Sequence, residues 1–423
     1  MALAAIAVAA QAAQVSQYDL EARARKKAEF AAYLRRLGPD ATKAYLRECA
    51  RMAALRARVV AREAAGQNTA CAHQIYSEAA WISGSVMDPA RLAKRLDDLE
   101  WVLAHPEEEP KAEQQDPADG SWGACHEAWF FKVDATIDHL NKPSSAGQIP
   151  KYRLRLLDRV NSPEKLRDYF EGLAVSDLAA TGVDHRRELN ESLANLSRLI
   201  TRKKLSNYAW QPGVQEALMS LVMEKLRNPE TAWWGERYVR DGKTEFVNDL
   251  SITFHLVSYL RDSMTNLGPV AAHLLAVKKL DYPIGWMEEG RYTNHNNMDV
   301  VTLFGIAWAA MDDAQKREAS EEIRRMLEWC LQDSLQPDGS FKAVQGSSDS
   351  LEENNGWGIA FLERIGYFDR ARRFWTGEEF PEAEAVRRRI IGFLEKHAGT
   401  GGVGGAYYES DLARLRAIGE KER

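Results

Sequence analysis

Asn294 and His295 stand side by side in the stretch GRYTNHNNMDVVTLFGIAW, Gly290 to Trp308. An imidazole titrates close to neutrality, so it can take or give a proton under ordinary conditions. A carboxamide beside it offers two N–H donors and a carbonyl acceptor. Tyr292, two residues earlier, adds a phenol. Directly after this polar run the sequence becomes apolar on every side of a helical projection, the mark of a segment that cannot face water. Proton-moving and hydrogen-bonding groups at the threshold of a buried helix imply the floor of a cleft, suited to an acidic or hydroxylated ligand.

The loop that contains this run and two others are polar and rich in aromatics. NPETAWWGERYVRDGKTEFVND carries Trp233, Trp234, Arg237, Tyr238 and Arg240. YPIGWMEEGRYTNHNN carries Trp286 and Arg291, and QPDGSFKAVQGSSDSLEENNGW carries Phe341, Lys342, Asn354, Asn355 and Trp357. Aromatic rings beside amides and guanidinium groups suit sugar rings, which present an apolar face and many hydroxyls. About half of these aromatics are expected only to pack their loops. GVDHRRELNES offers Arg186, Arg187 and Asn190 for an anionic chain, or for pairing with Glu188 and Glu191 along a helix. Plainer roles stand beside these. Asn294, Asn296 and Asn297 are good helix caps, Asp249 and Asp299 sit near helix starts where acids are favoured, and His139 and His255 read as satisfied core histidines.

The elements that must position these residues follow a rhythm. Six apolar helices start near Cys71, His126, Glu188, Phe246, Asn297 and Asn355, at intervals of 51 to 62 residues. Charged amphipathic helices such as DAQKREASEEIRRMLEWCLQ lie between them. Each interval is what a helical hairpin with its loops requires. The expectation is an all-α fold, an (α/α)6 toroid with the apolar helices inside, over residues 19–423 as a single domain; an open α-solenoid shares the same repeat logic. Inner helices running the same way would gather their amino termini, and their partial positive charge, at one end. No Asn-Gly or Asp-Gly pair reads as a hairpin between alternating strands, and FEGLAVSDLAATGVD and YVRDGKTEF are expected to hold short extended pieces at most.

NHNNMDVVTLFGIAWAAMDD, followed after one helix by LQPDGSFKAV, resembles the toroidal polysaccharide lyases, the alginate-lyase and heparinase-like families above all. There an Asn-His element opens an inner helix and a D-G-S/T-aromatic loop precedes the next. The likeness spans about 80 residues, Tyr282 to Phe361. It implies β-elimination on a uronic-acid polymer. Asn294 would neutralise the sugar carboxylate, His295 would remove the C5 proton, and a Tyr would protonate the departing oxygen. Those families also place an Arg and a catalytic Tyr after the D-G-S loop, and KAVQGSSDSLEENNGWGIAF contains neither. Tyr292 or Tyr238, the latter with Arg237 or Arg240 beside it, is expected to serve instead. Arg291, Trp233, Trp234, Trp286, Asn354, Asn355 and Trp357 complete the expected binding surface.

Two other readings use the same residues. Asp249, Asp299, Glu352, Glu353 and Glu127 could furnish a glycoside hydrolase's acid/base pair. A non-catalytic carbohydrate- or protein-binding toroid accounts for the displaced Arg and Tyr. A terpenoid cyclase is disfavoured because no D-x-D-D run occurs.

Composition narrows the classes. The net charge is −6, and basic residues alternate with acidic ones, as in KRLDDLEW, so no nucleic-acid surface is expected. Cys49, Cys71, Cys125 and Cys330 have no C-x-x-C spacing; they read as buried structural cysteines rather than metal ligands, and in an exported protein up to two disulfides are open with three pairings. No metal or cofactor is expected. MALAAIAVAAQAAQVSQYD, with no charged side chain before Asp19, resembles a signal peptide that lacks its basic region. Residues 1–18 therefore suggest export to a periplasmic or extracellular space, and no stretch is long enough for a membrane span.

Overall fold

The computed structural model describes residues 24–65, 67–112, 114–141, 149–202, 208–342, 351–398 and 403–420. The signal-like segment 1–18, most of the loop after Lys342 and the Glu352 side chain lie outside them. The described chain is mostly helical and divides into two compact units. Glu21–Arg227 with Gly235–Val247 form the first; Asn228–Trp234 with Asn248–Arg423 belong to the second.

The first unit holds helices α1 (24–37), α2 (Pro39–Ala64), α3 (Ala70–Trp81), α4 (Pro89–Ala104), α5 (Trp129–Asn141), α6 (Pro163–Leu173), α7 (Leu178–Thr181), α8 (Arg186–Thr201) and α9 (Val214–Ser220). Local chemistry sets several starts. The Asp88 carboxylate accepts from the N–H groups of Ala90 and Arg91, with Pro89 in the first turn of α4. Ser162 does the same for Lys165 ahead of Pro163 in α6, where proline's missing donor costs nothing. The start of α5 is fixed from a distance. Glu78, fully buried on α3, accepts from the backbone N–H groups of Glu127 and Ala128 at 2.9 Å each. Arg95 on α4 pairs with the same carboxylate at 3.2 Å. Beside this network a disulfide joins Cys71 to Cys125 with Cα atoms 5.4 Å apart, while Cys49 and Cys330 are free thiols.

A three-stranded sheet edges this unit: β1 (Val175–Ser176), β2 (Gly235–Arg240) and β3 (Lys243–Asn248), in that order. β1 runs parallel to β2, with Val175 opposite Arg237 and Ser176 opposite Tyr238. The turn between β2 and β3 is Asp241-Gly242, with φ of 49° and 72°. Two successive left-handed residues make the tight hairpin turn whose twist matches its strands. YVRDGKTEF is therefore a full Asp-Gly hairpin, against the expectation of short extended pieces. Its second strand also corrects the helix expected from Phe246, which begins only at Leu250.

In the second unit α12 (Asn294–Ala307) packs between α10 (Leu250–Tyr259) and α14 (Leu351–Arg364), while α11 (Leu267–Ala276) and α13 (Asp313–Trp329) pack against one another. α15 (Ala383–His397) and α16 (Val403–Glu420) close the unit, α16 against α14. Eleven of the fourteen residues of α12 are buried, so the all-round apolar pattern places this helix in the interior as expected. Burial of Met298, Val300, Val301, Leu303 and Phe304 stabilises it by about 1.5–3 kcal/mol per side chain. α13 is amphipathic, burying Ala319, Ile323, Met326 and Leu327 on one face. Its start carries a full capping box between Asp312 and Gln315. The glycine of NNGWG that matters is Gly358: a Cβ there would lie 2.4 Å from the Phe341 ring, so α14 meets the D-G-S-F turn only because that position is bare.

All six apolar helices exist. α3, α5 and α8 belong to the first unit, and α10, α12 and α14 to the second, each starting within four residues of its expected place.

Candidate functional site

The polar residues of the second unit collect at the amino-terminal turn of α12. Thr293 caps the helix, its hydroxyl accepting from the Asn296 N–H at 3.1 Å. His295 comes next and keeps 31% of its side chain exposed. Its ring lies between those of Tyr282 and Trp357, with centroids 5.5 and 5.0 Å away. Both neighbours are also half-buried. One helical turn on, Asp299 directs Oδ2 to 3.8 Å from His295 Nε2, as i and i+4 positions on one helix face allow.

Asp299 is 1% exposed, and neither carboxyl oxygen has a hydrogen-bond partner. Burial pushes its pKa well above the usual carboxylate range, and the charge of nearby Asp249 adds to the shift. Both effects favour the protonated form of Asp299. Asp249 has a structural task, capping α10 through the Ile252 N–H at 2.9 Å.

The other side of α12 is equally unsatisfied. Asn294 donates through Nδ2 to the Ser334 hydroxyl at 2.8 Å, leaving its carbonyl oxygen unpartnered. Ser334 ends the wide turn Cys330–Ser334 that continues α13. Asn297 is fully buried with neither amide atom hydrogen-bonded, and Trp286 Nε1 is also unpartnered. Each such group costs about 1–3 kcal/mol. A turn carrying this many unmet groups is poorly explained by stability alone.

The remaining predicted residues distribute unevenly. Tyr292 donates to Glu322 on α13 at 3.4 Å and lies near Trp329. Trp233, Trp234 and Trp286 are each 0% exposed. Trp233 Nε1 donates to the Val270 carbonyl at 3.0 Å, the Trp234 N–H to Thr253 at 3.1 Å, and Trp286 packs edge-on to Phe304. These three rings form core, not sugar platforms, because long-range packing closes over them. Arg291 is exposed and paired with Glu289. Asn355 accepts from the Phe341 N–H at 2.6 Å and donates to the Tyr408 hydroxyl, tying the D-G-S-F turn to α14 and α16. Asn354 is buried as well. Of the expected binding residues of this unit, Trp357 alone adjoins His295 among the described contacts.

Tyr238, Arg237 and Arg240 belong to the first unit. The Tyr238 hydroxyl is buried, donating to Asp184 at 3.2 Å and accepting from Lys26 at 3.1 Å. Arg240 is held by Glu29 and Glu245 at 2.9 and 3.1 Å. Arg237 donates to the Lys225 carbonyl and lies over the Phe246 ring. Their polar atoms are spent on closing the hairpin against its own unit. Of the rival carboxylates, Asp299 is enclosed, Asp249 caps a helix, Glu127 pairs with Lys94 and Glu353 is exposed.

Tyr282 and Ser334 were missed by sequence reasoning. Tyr282 lies in the loop already noted for Trp286, and nothing in its local pattern separates it from its neighbours. His139 and His255, expected in the core, are half-buried and stacked on Trp122 and Tyr259.

A second polar group gathers in the first unit on α5 and α8. Asn195 donates to Asp134 at 2.8 Å, and Arg187 lies over the Phe131 ring. The Glu191 carboxyl is pushed up to about 8, by burial first and by Asp134 next. Arg186 pairs with Glu236 at 3.3 Å.

Among the described residues no three His, Cys, Asp or Glu side chains are grouped to hold a metal ion, and no helix is long and apolar enough to cross a membrane. The chain matches no protein-family model, no curated protein and no solved structure in the comparisons made.

Proposed function

We propose that the second unit binds an acidic sugar chain at the amino-terminal end of α12 and cleaves it by β-elimination, as a polysaccharide lyase. The observation that carries this reading is His295, an accessible imidazole flanked by two accessible aromatic rings, Tyr282 and Trp357. An aromatic face on each side suits a pyranose ring. An imidazole is among the side chains that serve as general bases. In the reaction His295 takes the C5 proton, and the C–H electrons form the C4–C5 double bond. The C4–O glycosidic bond then breaks, and its oxygen leaves with a proton. Tyr282, rather than Tyr292 or Tyr238, is the phenol beside the base and the proposed donor of that proton. Partial positive charge at the start of α12 favours the uronate carboxylate.

The six hairpins closing as an (α/α)6 toroid form part of the same proposal, supported by six helices that each start within four residues of the expected place. Export is proposed too. The Cys71–Cys125 disulfide supports it, since such bonds persist in oxidising compartments. A second reading, carbohydrate binding without turnover, is favoured by Asn294, whose N–H group is engaged by Ser334 instead of open to a substrate carboxylate. The enclosed Asp299 and the capping Asp249 weigh against a hydrolase pair.

The test is incubation with a panel of uronate polysaccharides, read by the ultraviolet absorbance of the unsaturated product. Wild-type protein is expected to generate it, His295→Ala to lose it by at least ~100-fold, and Trp357→Ala to raise KM. New reducing ends without absorbance would replace the lyase by a hydrolase. Binding without either product would leave the carbohydrate-binding reading.

A further inference from the structure

α14 is an inner helix, yet one of its faces stays open. Trp357 and Ala360 are half-buried, and Arg364 is exposed. Trp357 and Arg364, seven residues apart, lie on the same face, about 10 Å from one another along the axis. At the carboxy-terminal end of this stripe is a cavity of about 420 Å³. Ala360, Glu363, Arg364, Asp369, Arg372 and Arg414 line it.

The charges in the cavity are unevenly matched. Arg414 pairs with Glu363 at 3.3 Å and with Asp411 at 2.8 Å. Arg372 pairs with Asp369 at 3.4 Å. Both acids of the lining are thus engaged by other arginines. Arg364 makes no hydrogen bond or ion pair among the described residues. Its guanidinium loses solvation in the cavity and is opposed by the like charges of Arg261, Arg414 and Arg372, with Glu363 alone acting in its favour; these effects lower its pKa without discharging it. A guanidinium set at a concave surface, with no partner of its own among the described residues and three like charges nearby, is open to an anion. Its planar fork matches the oxygens of a carboxylate, sulfate or phosphate.

We infer that this cavity is an oxyanion-binding site with Arg364 as its principal donor and Arg372 and Arg414 as flanking charges. The ligand chemistry is a compact oxyanion, either free or carried by an acidic chain. If the chain is the one proposed above, the site is a second contact along α14 for another acidic group of the same ligand. That link rests on the preceding reading; the site itself does not.

Titration calorimetry of the full chain with inorganic phosphate at low ionic strength tests it. Wild type is expected to bind, and Arg364→Gln to bind at least tenfold more weakly, the loss on the order of one charge-assisted hydrogen bond. Arg364→Lys should fall between them, keeping the charge and losing the fork. Arg364 is exposed and unpaired, so these variants keep the fold, which circular dichroism and the thermal midpoint verify. His295→Ala should bind phosphate like wild type, so failure of the lyase reading leaves this result intact. An oligouronate that displaces phosphate assigns the oxyanion to an acidic chain; one that does not assigns it to a free or phosphorylated ligand, and both outcomes uphold the site. Absence of phosphate binding, or equal binding by wild type and Arg364→Gln, overturns it.

Discussion

Asp299→Asn is the substitution whose energetics are most sharply defined. The folded state keeps a proton on this enclosed carboxyl well above the pH at which an unfolded chain releases it. A group with a raised folded pKa binds more protons folded than unfolded, so stability falls as pH rises between the unfolded and folded values. For one proton the slope is about 1.4 kcal/mol per pH unit. An asparagine is the neutral analogue of the protonated acid and carries no such dependence. Relative to wild type, the variant should gain stability as pH rises from the ordinary carboxylate pKa toward the raised folded value, by up to about 1.4 kcal/mol for each pH unit between them. The two proteins should converge below the ordinary carboxylate pKa, where Asp299 is protonated in both states. Urea unfolding at several pH values, followed by tryptophan fluorescence, measures the difference. Parallel stability curves for the two proteins would show that Asp299 is ionised in the folded state and would refute the reasoning. The enclosed carboxyl would then have to be compensated, and His295 in its charged form is the nearest candidate.

Glu78 should behave with the opposite sign. Burial acts to raise its pKa, but His126 and Arg95 outweigh it and hold the carboxyl down at about 2. Its contribution is fully present above the unfolded pKa and is lost as pH falls from that value through about 2. Glu78→Gln should cost roughly 3 kcal/mol at pH 7 and progressively less in acid, as read by denaturant midpoints. For the disulfide, replacing Cys71 and Cys125 together by serine reopens a loop of 54 residues. Chain entropy sets the loss at about 4 kcal/mol, and a thermal midpoint unchanged from wild type would count against a bond that constrains the unfolded chain.

How much of this was legible in the sequence depended on whether the signal was local. α12 could be placed because its apolar residues wrap the whole helix, a pattern complete within fourteen positions. The capping box of Asp312 with Gln315 is a signal of the same local kind, though the expectation of α13 does not rest on it. The Asp-Gly turn was present, but β2 is largely buried on both faces, so the alternation that normally reveals a hairpin was muted. The tryptophans misled for a different reason. Whether a loop aromatic meets solvent depends on what packs over it, and the partner of Trp233 Nε1 is 37 residues away. The same holds for the site. Asn294 and His295 are adjacent in sequence, but Ser334 and Trp357 come from the turn that continues α13 and from α14.

The order of chain segments has a consequence for how the protein is made and dissected. Asn228–Trp234 belongs to the second unit, while the next thirteen residues return to the first. A fragment ending at Arg227 therefore lacks β2 and β3, and with them the hydroxyl that Asp184 receives and the guanidinium that Glu29 holds. During synthesis the first unit cannot be completed until the ribosome has passed Val247, when part of the second has already emerged. No single cut separates the two, and a limited-proteolysis or expression strategy built on one boundary would yield a first half with an open edge.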